Sequence, residues 1–472
     1  MPPLTGVPAL PRKAVPIPTT SLPAAKIAAP TNSVQRLPAT RVGWGLLELL
    51  VISQTAIPAM LLLPGMQSIR AINRCAAFLV ALTGLVLPSP RSLPFHKRHP
   101  STFWVILLLV YLLGILLMSS DRMLPALAQY FLIFTVIAPV FWTPQLVYDA
   151  SQLHRILWLI LLTSGLNSLV GVLQVYDPDR WLPMQFSSHI SNLNQYHYYG
   201  TDGRVVMRPC GLFDSPGAAC SSGAWAAIVG FALFQVERTI PRRAVAIGCA
   251  FLGAAVIYLT LVRTSFVVVL VGVAVYATVL FARGQSTRAI GYMLVVMGTL
   301  ICALLFAALF GGDVVVSRFQ SLFNSKPTSL YYQSRGIQLE DAIFNVATDN
   351  ILGVGLGSWG MVPATFGGGS RFAELQLHGW LLDGGIPLAV LYSIALIVAF
   401  SNDLRICMTI RSAQAVRSAA CIAAINASTL VTILSFVPYN SPLGLQFWLL
   451  TGILHGVSLL ERPRVPSREN QR

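Results

Sequence analysis

The sequence predicts an all-α polytopic membrane protein of about 12 transmembrane helices, with a large, partly helical loop on the outer side between helices 9 and 10. Three observations lead there. Of the 472 residues, 55% are hydrophobic and only 10% are charged. A soluble chain carries roughly a quarter charged residues, so most of this chain has no water to face. Apolar runs of about 20 residues, the length a helix needs to cross the hydrocarbon core, recur from Gly43 almost to the end. Finally, the Lys and Arg residues gather between alternate runs, as they do on the inner side of a membrane.

Residues 1–41 hold nine prolines, five Lys or Arg and no acid. They contain no apolar core, so they read as a disordered basic tail and not as a signal peptide. Residues 42–460 form one membrane domain and 461–472 a short inner tail. Membrane helices are expected near 43–64, 71–89, 101–119, 123–142, 155–176, 210–234, 244–262, 264–282, 289–311, 377–400, 417–436 and 443–460. Arg74 interrupts the second, Gly, Ser and Asp214 dilute the sixth, and Pro58 bends the first. With both termini inside, 21 of the 32 Lys and Arg fall on the inner side. The high net charge of +15 therefore belongs to the membrane topology and not to a nucleic-acid surface. The seven cysteines lie in or beside apolar runs without CxxC spacing, with Cys210 and Cys220 placed on one helix, so neither a disulfide framework nor a thiol-bound metal is expected.

Two outer segments are long, 177–209 and 312–376. The second is too long for a plain connector and is not disordered in composition. Ile337, Phe344 and Ala347 recur at helical spacing behind Arg335, with Ser334 as the expected N-cap. Gly353, Gly355 and Gly357 then alternate in ILGVGLGSW, which suits a backbone that must come close to something. FAELQLHGWLLDGG follows, leading into an apolar run. A helix beginning at Ser370 would put Glu374 and His378 on one face, four residues apart. Asp383 is rotated away from them and reads as a buried packing contact. Glu48, inside the first apolar run, reads as a structural acid that needs a cationic partner such as Arg41.

The order LTLVRTSF, long outer loop, SRGIQLEDAIF, ILGVGLGSW and LHGWLLDGGIP resembles the O-antigen ligase and polymerase superfamily of bacterial membrane glycosyltransferases. MRPCGLFDSPGAA is similar to that family's Arg-then-Gly-Phe-x-x-Pro segment. The motifs span about 205–390, and beyond them the likeness is one of topology. The chain departs from the family where Gly379 and Trp380 follow the His, and where Leu339 stands in place of a Trp in the loop helix.

The resemblance implies a bacterial inner-membrane enzyme whose large loop is periplasmic and whose termini are cytoplasmic. Its partners would be an undecaprenyl-diphosphate-linked glycan donor, a glycan or lipid A-core acceptor, membrane lipids, and chain-length regulator and flippase proteins, with no nucleic acid. In such a transfer the leaving lipid diphosphate gains negative charge, which fixed cations stabilise. Arginine suits that role because its planar fork matches phosphate oxygens and stays protonated. Arg263, Arg335, Arg318 and Arg208 are the candidate diphosphate ligands. His378 is the candidate general base for the acceptor hydroxyl, oriented by Glu374, and the glycines 353, 355 and 357 would offer backbone to the substrate. His96, His99 and His154 fall on the inner side, His455 lies within an apolar run, and His189 and His197 belong to the first outer loop. No metal and no cofactor are expected. Polymerisation of repeat units is the first reading and ligation to lipid A-core the second. A polysaccharide-lipid transporter or flippase is the reading from another class, and it asks for ionisable residues at mid-membrane and interrupted helices. A structural scaffold would need none of these motifs.

The topology is open to direct test. Alkaline phosphatase fused after residue 345 should be active, and fusions within the first 40 residues or after residue 462 should be inactive; the reverse pattern overturns the assigned orientation.

Overall fold

The computed structural model describes residues 45–63, 65–66, 70–87, 93–94, 97–119, 122–182, 196–199, 205–213, 215–312, 315–317, 320, 329, 331–360, 362–363 and 371–461, and the structural statements below concern these. The basic tail, Arg41, Asp214 and Arg318 lie outside them.

In a hydrocarbon surrounding every backbone N–H and C=O must find a partner within the protein, and a helix satisfies them locally. The chain accordingly forms a helical bundle. Its first half comprises α1 (Leu46–Ala59), α2 (Arg70–Val86), α3 (Thr102–Met118), α4 (Met123–Ile137), α5 (Pro139–Leu146) and α6 (Ala150–Tyr176). A short α7 (Pro178–Trp181) and an antiparallel ribbon, β1 (His197–Tyr199) with β2 (Val205–Met207), follow α6 in the chain. There follow α8 (Pro216–Val236), α9 (Ile240–Leu259), α10 (Arg263–Ala282), α11 (Ser286–Gly311), the loop helix α12 (332–349), α13 (Gln376–Thr409), α14 (Ala413–Thr432) and α15 (Pro442–Glu461). Among the described residues, nine helical runs are long and apolar enough to cross a membrane, with α4 and α5 forming one of them. Three further apolar helices are shorter, at Leu46–Leu62, Cys75–Val86 and Thr102–Met118. The protein is a multi-pass helical membrane protein, and each apolar segment read from the sequence falls on one of these helices.

Two interior contacts hold charged groups. Arg155 on α6 meets the buried Glu48 of α1 at 2.6 Å, in the role expected of Arg41. At the end of α8, Glu237 accepts from Trp158 at 2.7 Å and lies 2.7 Å from His154. Burial alone would raise its pKa; the Trp158 and His154 hydrogen bonds and the charges of His154 and Arg242 bring it below the usual value.

The expected boundaries shift in three places. The helix placed at 210–234 begins at Pro216, capped by the Ser215 hydroxyl, because proline lacks the N–H of a helix interior but fits its first turn. Cys210 therefore sits in the preceding turn and not on one helix with Cys220. That turn is held from α6, where Gln174 Oε1 accepts the N–H groups of Cys210 and Gly211, and Asn167 Oδ1 that of Leu212. The loop helix is already helical at Tyr332, so Ser334 is not its N-cap. Two of its turns, Tyr332–Gly336 and Ala342–Val346, are wide π turns. Such bulges are rare and tend to occur at functional sites. Finally, α13 starts at Gln376 and not near Ser370, since Gln376 is pinned by the 433–440 turn: its N–H reaches Phe436 O and its Oε1 accepts Tyr439 N at 2.8 Å.

The feature that most shapes the region around residues 332–386 is a break in α13. Gly384 and Gly385 leave helical geometry, Gly385 with φ of 66°. The bond that Ile386 N would make to Leu382 O is lost, and the loop supplies both halves. Ile386 N donates to Ile351 O at 2.9 Å, while Leu382 O accepts Val354 N at 2.8 Å and Gly355 N at 3.2 Å. Tyr111 of α3 donates to Gly384 O at 2.7 Å. A side chain on Gly385 would strike the Ile351 carbonyl, and one on Gly353 would strike the Gly384–Gly385 backbone. Gly385→Ala should therefore lower stability by roughly 1–3 kcal/mol, whereas Gly291→Ala, which meets open space on α11, should be near neutral. Thermal denaturation of the two purified variants in one detergent measures this, and equal melting temperatures would refute the stitched-break account.

Candidate functional site

The loop helix lies against the start of α13, and its polar stripe Arg335, Gln338 and Asp341 faces that start. Arg335 forms an ion pair with Glu374, and Gln338 Nε2 donates to the same carboxylate at 3.4 Å. Burial lowers the Arg335 pKa from its usual value, with Tyr331 acting in the opposite sense. Asp341 Oδ2 lies 3.9 Å from His378 Nε2. His378 is 6% exposed, and its Nδ1 is buried without a hydrogen-bond partner.

The structure thus brings Arg335, Glu374 and His378 to one end of α13, but not in the expected pairing. Glu374 precedes the helix that His378 occupies, so they do not share a helical face. Glu374 serves Arg335, and the carboxylate beside His378 is Asp341. Neither Asp341 nor Gln338 was assigned to the site from the sequence, although their steps of three residues from Arg335 mark one helical face.

Arg208 and Arg263 belong to the α9–α10 turn. Arg208 Nε donates to Thr260 O at 2.9 Å, at the end of α9, and Arg263 opens α10 three residues later. Leu261, between them, has φ of 58°, an unusual conformation for a residue with a β-carbon. Arg318 lies outside the described residues.

The three glycines are near the chain itself. Gly353 abuts the Gly384–Gly385 break, Gly357 abuts the Pro125 carbonyl, and Gly355 has more room, its nearest neighbour being the Ser119 hydroxyl. Their φ values of 86°, 117° and 69° are all in the left-handed half of conformational space. Asp383 is buried, accepting Gln129 Nε2 at 2.8 Å and Gly357 N at 3.1 Å, and so ties α4, the glycine turn and α13 together.

Beside this end of α13 lies an apolar cavity of about 750 Å³ between the loop helix and the break, lined by Ile343, Leu377, Leu381, Ile386, Ala389 and Val390 among others. Its lining includes none of Arg263, Arg335 and His378, although Leu377 adjoins His378. Chemically, the arrangement offers an imidazole with a carboxylate positioned to steady its protonated form, a guanidinium held by a second carboxylate, and an apolar wall alongside.

No protein-family model matches the chain, and no curated protein matches it. Fold and site define a multi-pass helical membrane protein with a polar cluster at the mouth of a broken helix.

Gly379 is explained by packing, since a β-carbon there would run into the Trp359 indole. Gly379→Asn should therefore cost roughly 1–3 kcal/mol of stability through overpacking, and Trp359→Ala in the same chain should recover part of it. Melting temperatures of the two single variants and the double variant decide this; additive losses would show that the indole and Gly379 do not contact.

Proposed function

We propose that the protein is a glycosyltransferase acting on undecaprenyl-diphosphate-linked oligosaccharide in bacterial surface polysaccharide synthesis, at the periplasmic face of the inner membrane. The observation that carries the reading is the cluster of Arg335, Glu374, Asp341 and His378 at one end of a membrane helix, with an apolar cavity beside it. A lipid-linked donor needs both environments, a cationic place for diphosphate and an apolar wall for the isoprenoid. His378 would take the proton of the acceptor hydroxyl through one ring nitrogen, and Asp341 would stabilise the imidazolium that results. Arg335, already oriented by Glu374, would bring its fixed positive charge to the leaving group as negative charge grows there. Arg263 and Arg208, near the α9–α10 turn, would hold the donor's other phosphate. Polymerisation of repeats is the first form of this reading, and ligation to lipid A-core the second.

A transporter or flippase of polysaccharide lipids has its own support. α13 is interrupted at Gly384–Gly385, and it carries the fully buried Asp403 within its membrane span. Interrupted helices and intramembrane acids recur in transporters. The interruption here, however, is filled by residues 351–355 of the same chain, which leaves its backbone groups committed.

The readings separate by complementation. In a host deleted for this gene, His378→Ala, Asp341→Ala and Arg335→Ala should each lower surface polysaccharide at least tenfold at normal protein level, while undecaprenyl-linked repeat units accumulate on the outer side. Normal polysaccharide from all three overturns the enzyme reading. Accumulation of the repeat units on the inner side instead supports transport. Laddered chains against single attached units then distinguish polymerase from ligase.

A further inference from the structure

Among the described residues, α12 and the turn after it leave large apolar side chains uncovered. Ile337, Ile343, Phe344, Ile351 and Leu352 are 42–67% exposed. Apolar surface gathered in this way on one short segment marks a surface that something covers.

The break in α13 sets the level at which this surface sits. Residues 384–402 hold no charged side chain, and the exposed Arg405 follows shortly after. An exposed arginine stays at the edge of the hydrocarbon layer. From Ile386 to Arg405 the helix rises about 28 Å, close to the thickness of that layer. Ile386 therefore stands at the opposite edge, with Val390 and Ile394 below it in the hydrocarbon. The loop comes in at this level, because Ile386 N donates to Ile351 O at 2.9 Å.

The contact also extends below that edge. Ile343, Ala347 and Ile351 share the groove of about 750 Å³ with Ile386, Val390 and Ile394. Ile386 and Val390 are 43% and 49% exposed on a helix that crosses the membrane, so they face lipid. The uncovered apolar side chains of the loop thus continue a lipid-facing surface of α13 across a shared groove. Glu340, Asn345 and Asp349 of α12 are exposed as well, which keeps the helix from sinking fully. That mixture is the make-up of a helix lying in the interface, its apolar side chains among acyl chains and its polar ones among headgroups.

We propose that residues 337–352 lie in the membrane interface, with Phe344 and Ile351 inserted among the acyl chains of the leaflet at the Ile386 end of α13. The groove then opens to lipid and not to water. The inference rests on the membrane fold alone and stands whether the glycan reading holds or fails.

The test uses the full chain carrying Cys75→Ala, Cys249→Ala and Cys302→Ala. Single labelling sites are added by Phe344→Cys, Ile351→Cys, Glu340→Cys or Ile397→Cys, each at an exposed side chain. Every variant is spin-labelled and placed in nanodiscs of phosphatidylcholine and phosphatidylglycerol. Power-saturation EPR then compares collisions with oxygen, which concentrates in lipid, and with a nickel chelate, which stays in water. At positions 344 and 351 oxygen access should exceed chelate access roughly twofold or more, approaching the ratio at 397 in the membrane core, while the order reverses at 340. Elution as a single peak in detergent verifies folding, and Leu352→Cys replaces either loop variant that aggregates. Chelate access at 344 and 351 equal to that at 340 shows a water-facing helix and overturns the proposal. Access to neither reagent shows that a second copy of the chain covers the face, and overturns it too.

Discussion

Leu382 and Ile386 cannot make the helical hydrogen bond between them, and the packing of residues 332–357 on α13 is arranged around that fact. In hydrocarbon a broken helix leaves polar groups that no water can meet. Here residues 351–355 meet them, with Ile351 O accepting from Ile386 and the amides of Val354 and Gly355 reaching Leu382 O. The loop is thereby fastened to a membrane helix at a fixed register. Once it is fastened, the helix just before it must run over the start of α13. This brings Asp341 within 3.9 Å of His378 and Arg335 onto Glu374. The break thus sets the geometry of the candidate site without contributing a side chain to it.

The same constraint explains the glycines on both sides of the contact. Gly353 and Gly385 approach so closely that neither tolerates a β-carbon, and Gly385 also needs a positive φ. Gly379 belongs to the same logic one turn earlier, where the Trp359 indole occupies the space of its side chain. Asp383 adds a polar tie, accepting from the glycine turn and from Gln129 on α4. Tyr111 adds another from α3. Behind them Trp380 stacks on Tyr392 at 4.6 Å, and Tyr392 packs on Tyr439 at 5.3 Å, so the mouth of α13 rests on an aromatic base. A polar cluster supported in this way is held by packed elements and not by a free loop, which is the condition for preorganised chemistry.

The two buried acids of α13 illustrate different answers to one problem. Asp383 sits beside the break between donors from two elements, one of them a backbone amide. Asp403 has two side-chain donors and no cationic neighbour among the described residues. The first is accounted for as architecture. The second is bracketed by an amide donor and a hydroxyl that can accept as well as donate, a set that suits the neutral acid.

Hydropathy and charge placement in the sequence were enough to determine a multi-pass helical membrane protein, because the bilayer constrains composition and length residue by residue. They also marked Arg335, Glu374 and His378 as residues of one region, and offered for the 353–357 glycines a close backbone approach that is found at Gly353 and Gly357. The pairing of those residues was beyond them. Glu374 looked like a partner for His378 only so long as the helix was taken to begin at Ser370, and its true start at Gln376 depends on bonds to residues 433–440, far along the chain. The surface that Gly353 approaches, the α13 break, is likewise fixed by contacts across some thirty residues of sequence. Asp403 gave no local sign of its environment, since Asn426 and Thr451 come from two later helices. Local pattern records what each segment must do in the membrane; which side chains meet is decided where separate segments pack, and only the tertiary structure contains that.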